Sequence, residues 1–120
     1  MITNLRKYID KFKSSKNEPQ VGDYVKGKLH DFDIEEVITF VQNNVGQIKK
    51  ICKDWSDKKN IYVVKYNNIP SDLESEFTFI HKNGFYMDHA FSFYRKDLTF
   101  ATPEEIKEYI IREETNKYNL

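Results

Sequence analysis

A chain of 120 residues has room for one sizeable hydrophobic core rather than two, and 15% aromatic against 32% charged residues excludes a disordered polyelectrolyte. Nineteen basic side chains balance nineteen acidic ones, so the positive excess of a dedicated DNA coat is missing. Cys52 is the single cysteine, which excludes an intramolecular disulfide and a cysteine-based zinc site built from this chain alone.

Charge is nevertheless uneven: residues 1–65 carry 13 Lys and Arg against 9 Asp and Glu, and residues 66–120 carry 6 against 10. No stretch approaches the ~20 apolar residues that span a bilayer, and Met1-Ile2-Thr3-Asn4-Leu5-Arg6 lacks the apolar run of a signal peptide. The expected setting is a reducing cytoplasm with no membrane partner. Sixteen lysines against three arginines, with much Ile and Asn, match the codon bias of an AT-rich genome.

Ile2, Leu5, Tyr8, Ile9 and Phe12 recur at helical spacing and predict an N-terminal amphipathic helix over 1–13, followed by the polar connector 14–20. The main domain is expected over 21–115, with 116–120 as a tail. Val21 to Leu29 predicts the first strand, entered through the bend Gly22-Asp23. Asp33 stands three residues before Glu36, a reciprocal cap for a helix from Ile34 to about Gln42. Gly46 to Lys53 and Ile61 to Tyr66 predict two strands around the polar loop 54–60. Ile61-Tyr62-Val63-Val64 is apolar on both parities, as in a strand covered on both faces.

Ser71 with Glu74 predicts one capped helical turn through Leu73. Asn83-Gly84 predicts a two-residue hairpin turn between strands 77–82 and 85–90, pairing Lys82 with Phe85, Ile80 with Met87 and Thr78 with His89. A strand over Asp97 to Phe100 follows. Thr102-Pro103-Glu104-Glu105 then combines an N-cap, proline at the first helical position and a reciprocal glutamate, opening a helix to about Glu114 with Ile106, Tyr109 and Ile110 on one side.

Val21-Gly22-Asp23-Tyr24-Val25, Val45-Gly46-Gln47-Ile48 and Tyr62-Val63-Val64-Lys65-Tyr66 resemble the first three strands of small SH3-like barrels of the KOW and Tudor-like build. Asp97 to Ile106 resembles the last strand and helix of short uncharacterised phage and bacterial proteins of that build. The fold this implies is α+β: a mainly antiparallel SH3-like barrel with an inserted helix near 34–42, an N-terminal helix and a C-terminal helix. Such barrels bind peptides, modified tails, RNA or DNA, or serve as subunits of larger assemblies, so the fold alone selects no activity.

Trp55 is the one tryptophan, and it sits in a charged loop. It is read as an anchor on a partner protein, or as a ring folded over one end of the barrel. Tyr24, Trp55, Tyr62 and Tyr66 are read either as core aromatics or as a cage for methylated cations, since ring faces attract cations. Lys49, Lys50, Lys53, Lys58 and Lys59, with Lys26 and Lys28, form a solvated face or a phosphate-binding surface interleaved with aromatics.

His30, His81 and His89, with Asp88 and Cys52, are the available ligand or acid–base groups. The predicted register turns His81 and His89 to opposite faces and leaves His81 diagonal to Asp88, with no nucleophile at motif spacing. Neither catalysis nor a metal or cofactor is therefore expected. The expected function is a non-enzymatic protein-binding module, with a phage-encoded protein acting on a host protein as one form of it. An RNA- or DNA-binding barrel and a structural subunit of a larger particle are the alternatives.

Overall fold

Gln20 and Asp23 close a tight turn on one another: the Asp23 N–H donates to the Gln20 carbonyl at 3.0 Å and the Gln20 N–H to Asp23 Oδ2 at 2.8 Å. That reciprocal pair satisfies the buried Asp23 carboxylate and launches β1, Tyr24–Gly27, a shorter strand than the sequence predicts. The computed structural model describes residues 18–29, 32, 34–54, 56, 58–81 and 84–118. The predicted N-terminal helix over 1–13 and most of the connector lie outside them.

After β1 the chain forms α1, Glu35–Asn43, whose Val37 and Val41 are buried. Its N-cap is Ile34, with no side-chain bond, so the predicted cap is displaced; Asp33 lies outside the described residues. At the other end, the Asn43 and Asn44 side-chain amides fold back on the last turn and donate to the Thr39 and Phe40 carbonyls, both at 2.9 Å.

β2, Gly46–Lys53, and β3, Asn60–Lys65, form the long hairpin that the sequence predicts. Its register runs Ile48↔Val64 and then Lys50↔Val63, so a bulge at Lys49 shifts the later residues by one. Gly46 leads this hairpin because nothing larger fits: a Cβ there would lie 2.3 Å from Val64 Cγ1 and 3.0 Å from the Lys65 carbonyl oxygen.

A one-turn 3₁₀ segment, Glu74–Glu76, follows with Leu73 as its N-cap, two residues later than Ser71 predicts. β4, Thr78–Ile80, and β5, Tyr86–Asp88, then pair as Thr78↔Asp88, Phe79↔Met87 and Ile80↔Tyr86. The predicted register is therefore wrong by one residue. The His81 N–H donates to the Phe85 carbonyl at 2.8 Å and the Gly84 N–H to the His81 carbonyl at 2.9 Å, leaving positions 82–84 between the strands. Gly84, at φ 95°, supplies the left-handed residue that a three-residue hairpin loop needs, as it would in a two-residue one.

His89 is also left-handed, at φ 59°, and there the chain leaves the small hairpin for β6, Ala90–Tyr94. A second 3₁₀ turn, Arg95–Asp97, leads to β7, Leu98–Phe100, and then to α2, Pro103–Tyr118. The α2 capping box forms as predicted: the Thr102 N–H donates to Glu105 Oε1 at 2.8 Å and the Glu105 N–H to Thr102 Oγ1 at 3.2 Å.

Among the described residues the strands make a five-stranded antiparallel sheet in the order β6-β3-β2-β1-β7, with β4-β5 as a separate two-stranded sheet. One face of the large sheet packs Val25, Ile48, Tyr62, Val64 and Phe93 against Val37 and Val41 of α1 and against Phe77. The opposite face packs Val63 and Ala90 under Phe79, Phe85 and Met87 of the small hairpin. That cover explains why β3 is apolar on both parities. Ala101, Ile106 and Tyr109 close on Tyr24 as a third cluster. No helix among the described residues is long and apolar enough to cross a membrane.

Candidate interaction site at the end of the long hairpin

The loop between β2 and β3 is built on Asp54. Its backbone N–H donates to the Lys59 carbonyl at 2.8 Å, and its own carbonyl accepts the Lys58 N–H at 3.2 Å. Its Oδ1 accepts both the N–H and the hydroxyl of Ser56, at 3.0 and 3.1 Å, in the way an Asx-turn imitates a backbone turn. Its Oδ2 accepts the Tyr94 hydroxyl from β6. Lys58 takes a left-handed conformation, φ 58°, to bring the chain back. One aspartate thus fixes both the base of the loop and its attachment to the sheet.

Trp55 and Asp57 lie outside the described residues; the neighbours of Trp55, Asp54 and Ser56, are described. Lys53, Ser56, Lys58 and Lys59 are exposed around this end of the hairpin. A second phenol anchors the same end, for the Tyr62 hydroxyl donates to Glu18 Oε2 at 2.8 Å and fastens the incoming chain. Burial first, and then this bond to the Glu18 carboxylate, push the Tyr62 phenol above its ordinary pKa.

The other lysines have contacts of their own or lie elsewhere on the sheet. Lys49 sits at the bulge and donates to Gln47 Oε1 at 2.8 Å. The Lys50 ammonium lies 4.4 Å from the centre of the Phe85 ring, on the face covered by the small hairpin. Lys26 is engaged with Glu105 at 2.8 Å, and Lys28 is exposed beyond the end of β1.

Three of the four proposed cage aromatics are core residues. Tyr24, Tyr62 and Tyr66 are 6%, 1% and 1% exposed, which leaves no open ring face for a cation. Tyr24 also belongs to a different cluster from Tyr62 and Tyr66: it packs on Tyr109 with ring centres 5.0 Å apart, whereas Tyr66 packs between Phe40 and Phe77 at 5.6 and 5.7 Å. Alternation explains the separation, since Tyr24 and Val25 point to opposite sides of β1.

The one-residue shift in the small hairpin also dissolves the His81–Asp88 pairing. His81 lies on the inner face beside Phe79 at a ring separation of 6.2 Å, with Nε2 3.4 Å from the Lys53 carbonyl oxygen. Asp88 is on the outer face and accepts the Tyr86 hydroxyl at 2.5 Å, a bond that raises the Tyr86 pKa. His89 occupies the exposed corner after β5, and His30 lies outside the described residues. No group of three or more potential metal ligands occurs among the described residues.

Sequence reading missed Tyr94 and Glu18 as anchors. Asp54-x-Ser56 is the one local signal that marks the loop as structured. No family model, curated protein or solved structure matches this chain.

Proposed function

We propose that the chain is an SH3-like small barrel acting in the cytoplasm as a non-enzymatic protein-binding module, with the Trp55 loop as its contact element. The strand order β6-β3-β2-β1-β7 supports the barrel reading, because β1 lies between β2 and the last strand, and a single 3₁₀ turn joins β6 to β7. The observation that carries the binding reading is the fixed base of the loop: Asp54 is held by Tyr94, Ser56, Lys58 and Lys59, while the side chains around it are exposed. A loop whose base is fixed before encounter has less conformational entropy to lose there on binding, and a tryptophan is among the strongest interface anchors.

The test is affinity capture from the native host by wild type and by Trp55→Ala, quantified by mass spectrometry. One partner recovered by wild type and lost with Trp55→Ala is expected. No partner with wild type, or equal recovery by the variant, overturns the reading. A parallel anisotropy titration with single-stranded oligonucleotides at low salt probes the exposed Lys53, Lys58 and Lys59. Binding there that falls steeply with added salt would replace the protein partner with a nucleic acid.

A further inference from the structure

β6 is an outer strand of the large sheet, and its backbone groups divide by parity. The Tyr66 N–H donates to the His89 carbonyl at 2.8 Å, and the register from Lys65↔Ala90 to Ile61↔Tyr94 continues that alternation without a shift. Phe91 and Phe93 therefore turn their N–H and carbonyl groups toward β3, while Ala90 and Ser92 turn theirs away from it. Ala90 agrees with this, since its N–H donates outward to the Phe77 carbonyl at 3.1 Å. From there the small hairpin passes over the sheet, where Phe79 packs on Val63 and Ala90. The Ser92 N–H and carbonyl, aimed at the same edge, have no backbone partner among the described residues.

A groove of about 340 Å³ adjoins this edge and takes in Ser92, Phe93 and Tyr94. Leu29 and Phe32, both half-buried, give it an apolar wall, and Phe32 stands edge-on to Phe91 at 5.5 Å. Lys28 and Lys96, both exposed, also line it, against the single carboxylate of Asp97.

We propose that the β6 edge takes up an extended peptide segment of a partner protein, alternately apolar and acidic, as an added antiparallel strand. This surface is distinct from the Trp55 loop and does not rest on it. One residue of the incoming strand exchanges both backbone bonds with Ser92. Apolar side chains at alternate positions suit Leu29 and Phe32, and carboxylates between them suit Lys28 and Lys96. A helix or a nucleic acid would meet the lysines but leave the Ser92 pair unmade. A second copy fits less well, because pairing β6 with itself about Ser92 sets Tyr94 opposite Ala90, whose N–H already serves Phe77.

Nitrogen–proton correlation NMR on the labelled full chain tests this. The probes are capped peptides of about seven residues in which glutamate alternates with valine, leucine or phenylalanine, added to about 1 mM, some tenfold above a dissociation constant of about 0.1 mM. With at least one of them the Ser92 amide signal is expected to move and saturate. Methylating every backbone nitrogen of that peptide, or replacing its glutamates with lysine, should weaken binding about tenfold. Ser92→Pro, which removes an outward N–H on an edge strand where proline is tolerated, should do the same. Lys96 is exposed, so Lys96→Glu, expected to weaken the acidic peptide about tenfold, decides the matter if Ser92→Pro does not fold. Four results overturn the proposal: no saturable shift at Ser92, equal affinity for the methylated peptide, unchanged affinity in Lys96→Glu, or Ser92 shifts that follow the concentration of the chain itself, which would make a second copy the occupant.

Discussion

The hydroxyl of Tyr94 donates to the carboxylate of Asp54, joining edge strand β6 to the first residue of the loop that carries Trp55. The two residues are 40 positions apart in the chain, and Asp54 is also where the loop's own bonds converge. Tyr94→Phe removes this tie and keeps the ring. A hydrogen bond to a charged group contributes about 1.5 kcal/mol at the low end that a part-buried site gives, so the fold should persist while the loop loosens. Native-state hydrogen exchange at Ser56 and Lys58 is expected to quicken roughly tenfold, with the amides of β3 unchanged. Unaltered protection in the loop would show that Tyr94 does not order it.

Two glycine substitutions should separate steric from conformational cost. Gly84→Ala adds a Cβ with nothing within 4 Å, but at φ 95°, so it pays only for a strained backbone, about 1 kcal/mol. Gly46→Ala places its Cβ against Val64 and the Lys65 carbonyl, a backbone atom with no room to withdraw inside a paired strand. Overpacking of that kind costs about 1–3 kcal/mol or more. Urea denaturation should therefore rank Gly46→Ala as clearly the less stable variant, and the reverse order would mean that β2 and β3 are not registered as described.

The Lys26–Glu105 pair fastens β1 to the first turn of α2. Burial raises the Glu105 pKa, but the Lys26 ammonium and the bonds to Thr102 outweigh it and hold the carboxyl below its ordinary 4.5. A carboxylate whose pKa is lowered on folding adds stability that is complete above the unfolded value and is lost as pH falls through the folded one. Acidification below about pH 4.5 should thus weaken the docking of α2. Glu105→Gln keeps a side chain able to cap Thr102 while removing the charge, so it should cost about 0.5–1 kcal/mol at neutral pH and flatten the acid dependence. Urea midpoints measured at neutral and acidic pH check both expectations.

What was legible in the chain was local. Thr102 and Glu105 are one helical turn apart and form their box as read, and Ile61 to Val64 announce a doubly covered strand. Asn83-Gly84 signals a hairpin, but a left-handed glycine serves a loop of two or of three residues, so the two-residue register read from it was off by one, and a one-residue slip exchanges faces. β6 was hidden because the switch between sheets is made by His89, a residue type that tolerates the left-handed region but gives no glycine signal. The anchors Tyr94–Asp54 and Tyr62–Glu18 join residues 40 and 44 positions apart, and no sequence period marks such pairs. The tyrosine cage failed for a related reason: aromatic residues on neighbouring strands meet only when parity and register agree.

Tyr66 offers the sharpest test of the core. Its ring is wedged between Phe40 and Phe77, and its hydroxyl, buried with the rest of the side chain, has no hydrogen-bond partner among the described residues. Burial alone drives its pKa far above the ordinary 10.0. A phenol whose pKa is raised on folding leaves stability intact below the unfolded value and withdraws it as pH climbs beyond, because the unfolded chain ionises first. Tyr109, also raised by burial and then by Glu113, acts in the same direction. Alkaline unfolding should therefore begin above about pH 10, with phenolate absorbance appearing together with loss of structure. Tyr66→Phe deletes an oxygen that makes no bond, retains the edge-on packing against both phenylalanines, and removes the largest alkaline liability. The variant is expected to be about 1 kcal/mol more stable, a rise of about 3–6 °C in Tm, with its alkaline transition moved upward. A fall in Tm of that size would mean that the Tyr66 hydroxyl is bonded in the folded protein, and that the aromatic cluster around Phe77 is arranged to hold a polar group rather than to exclude one.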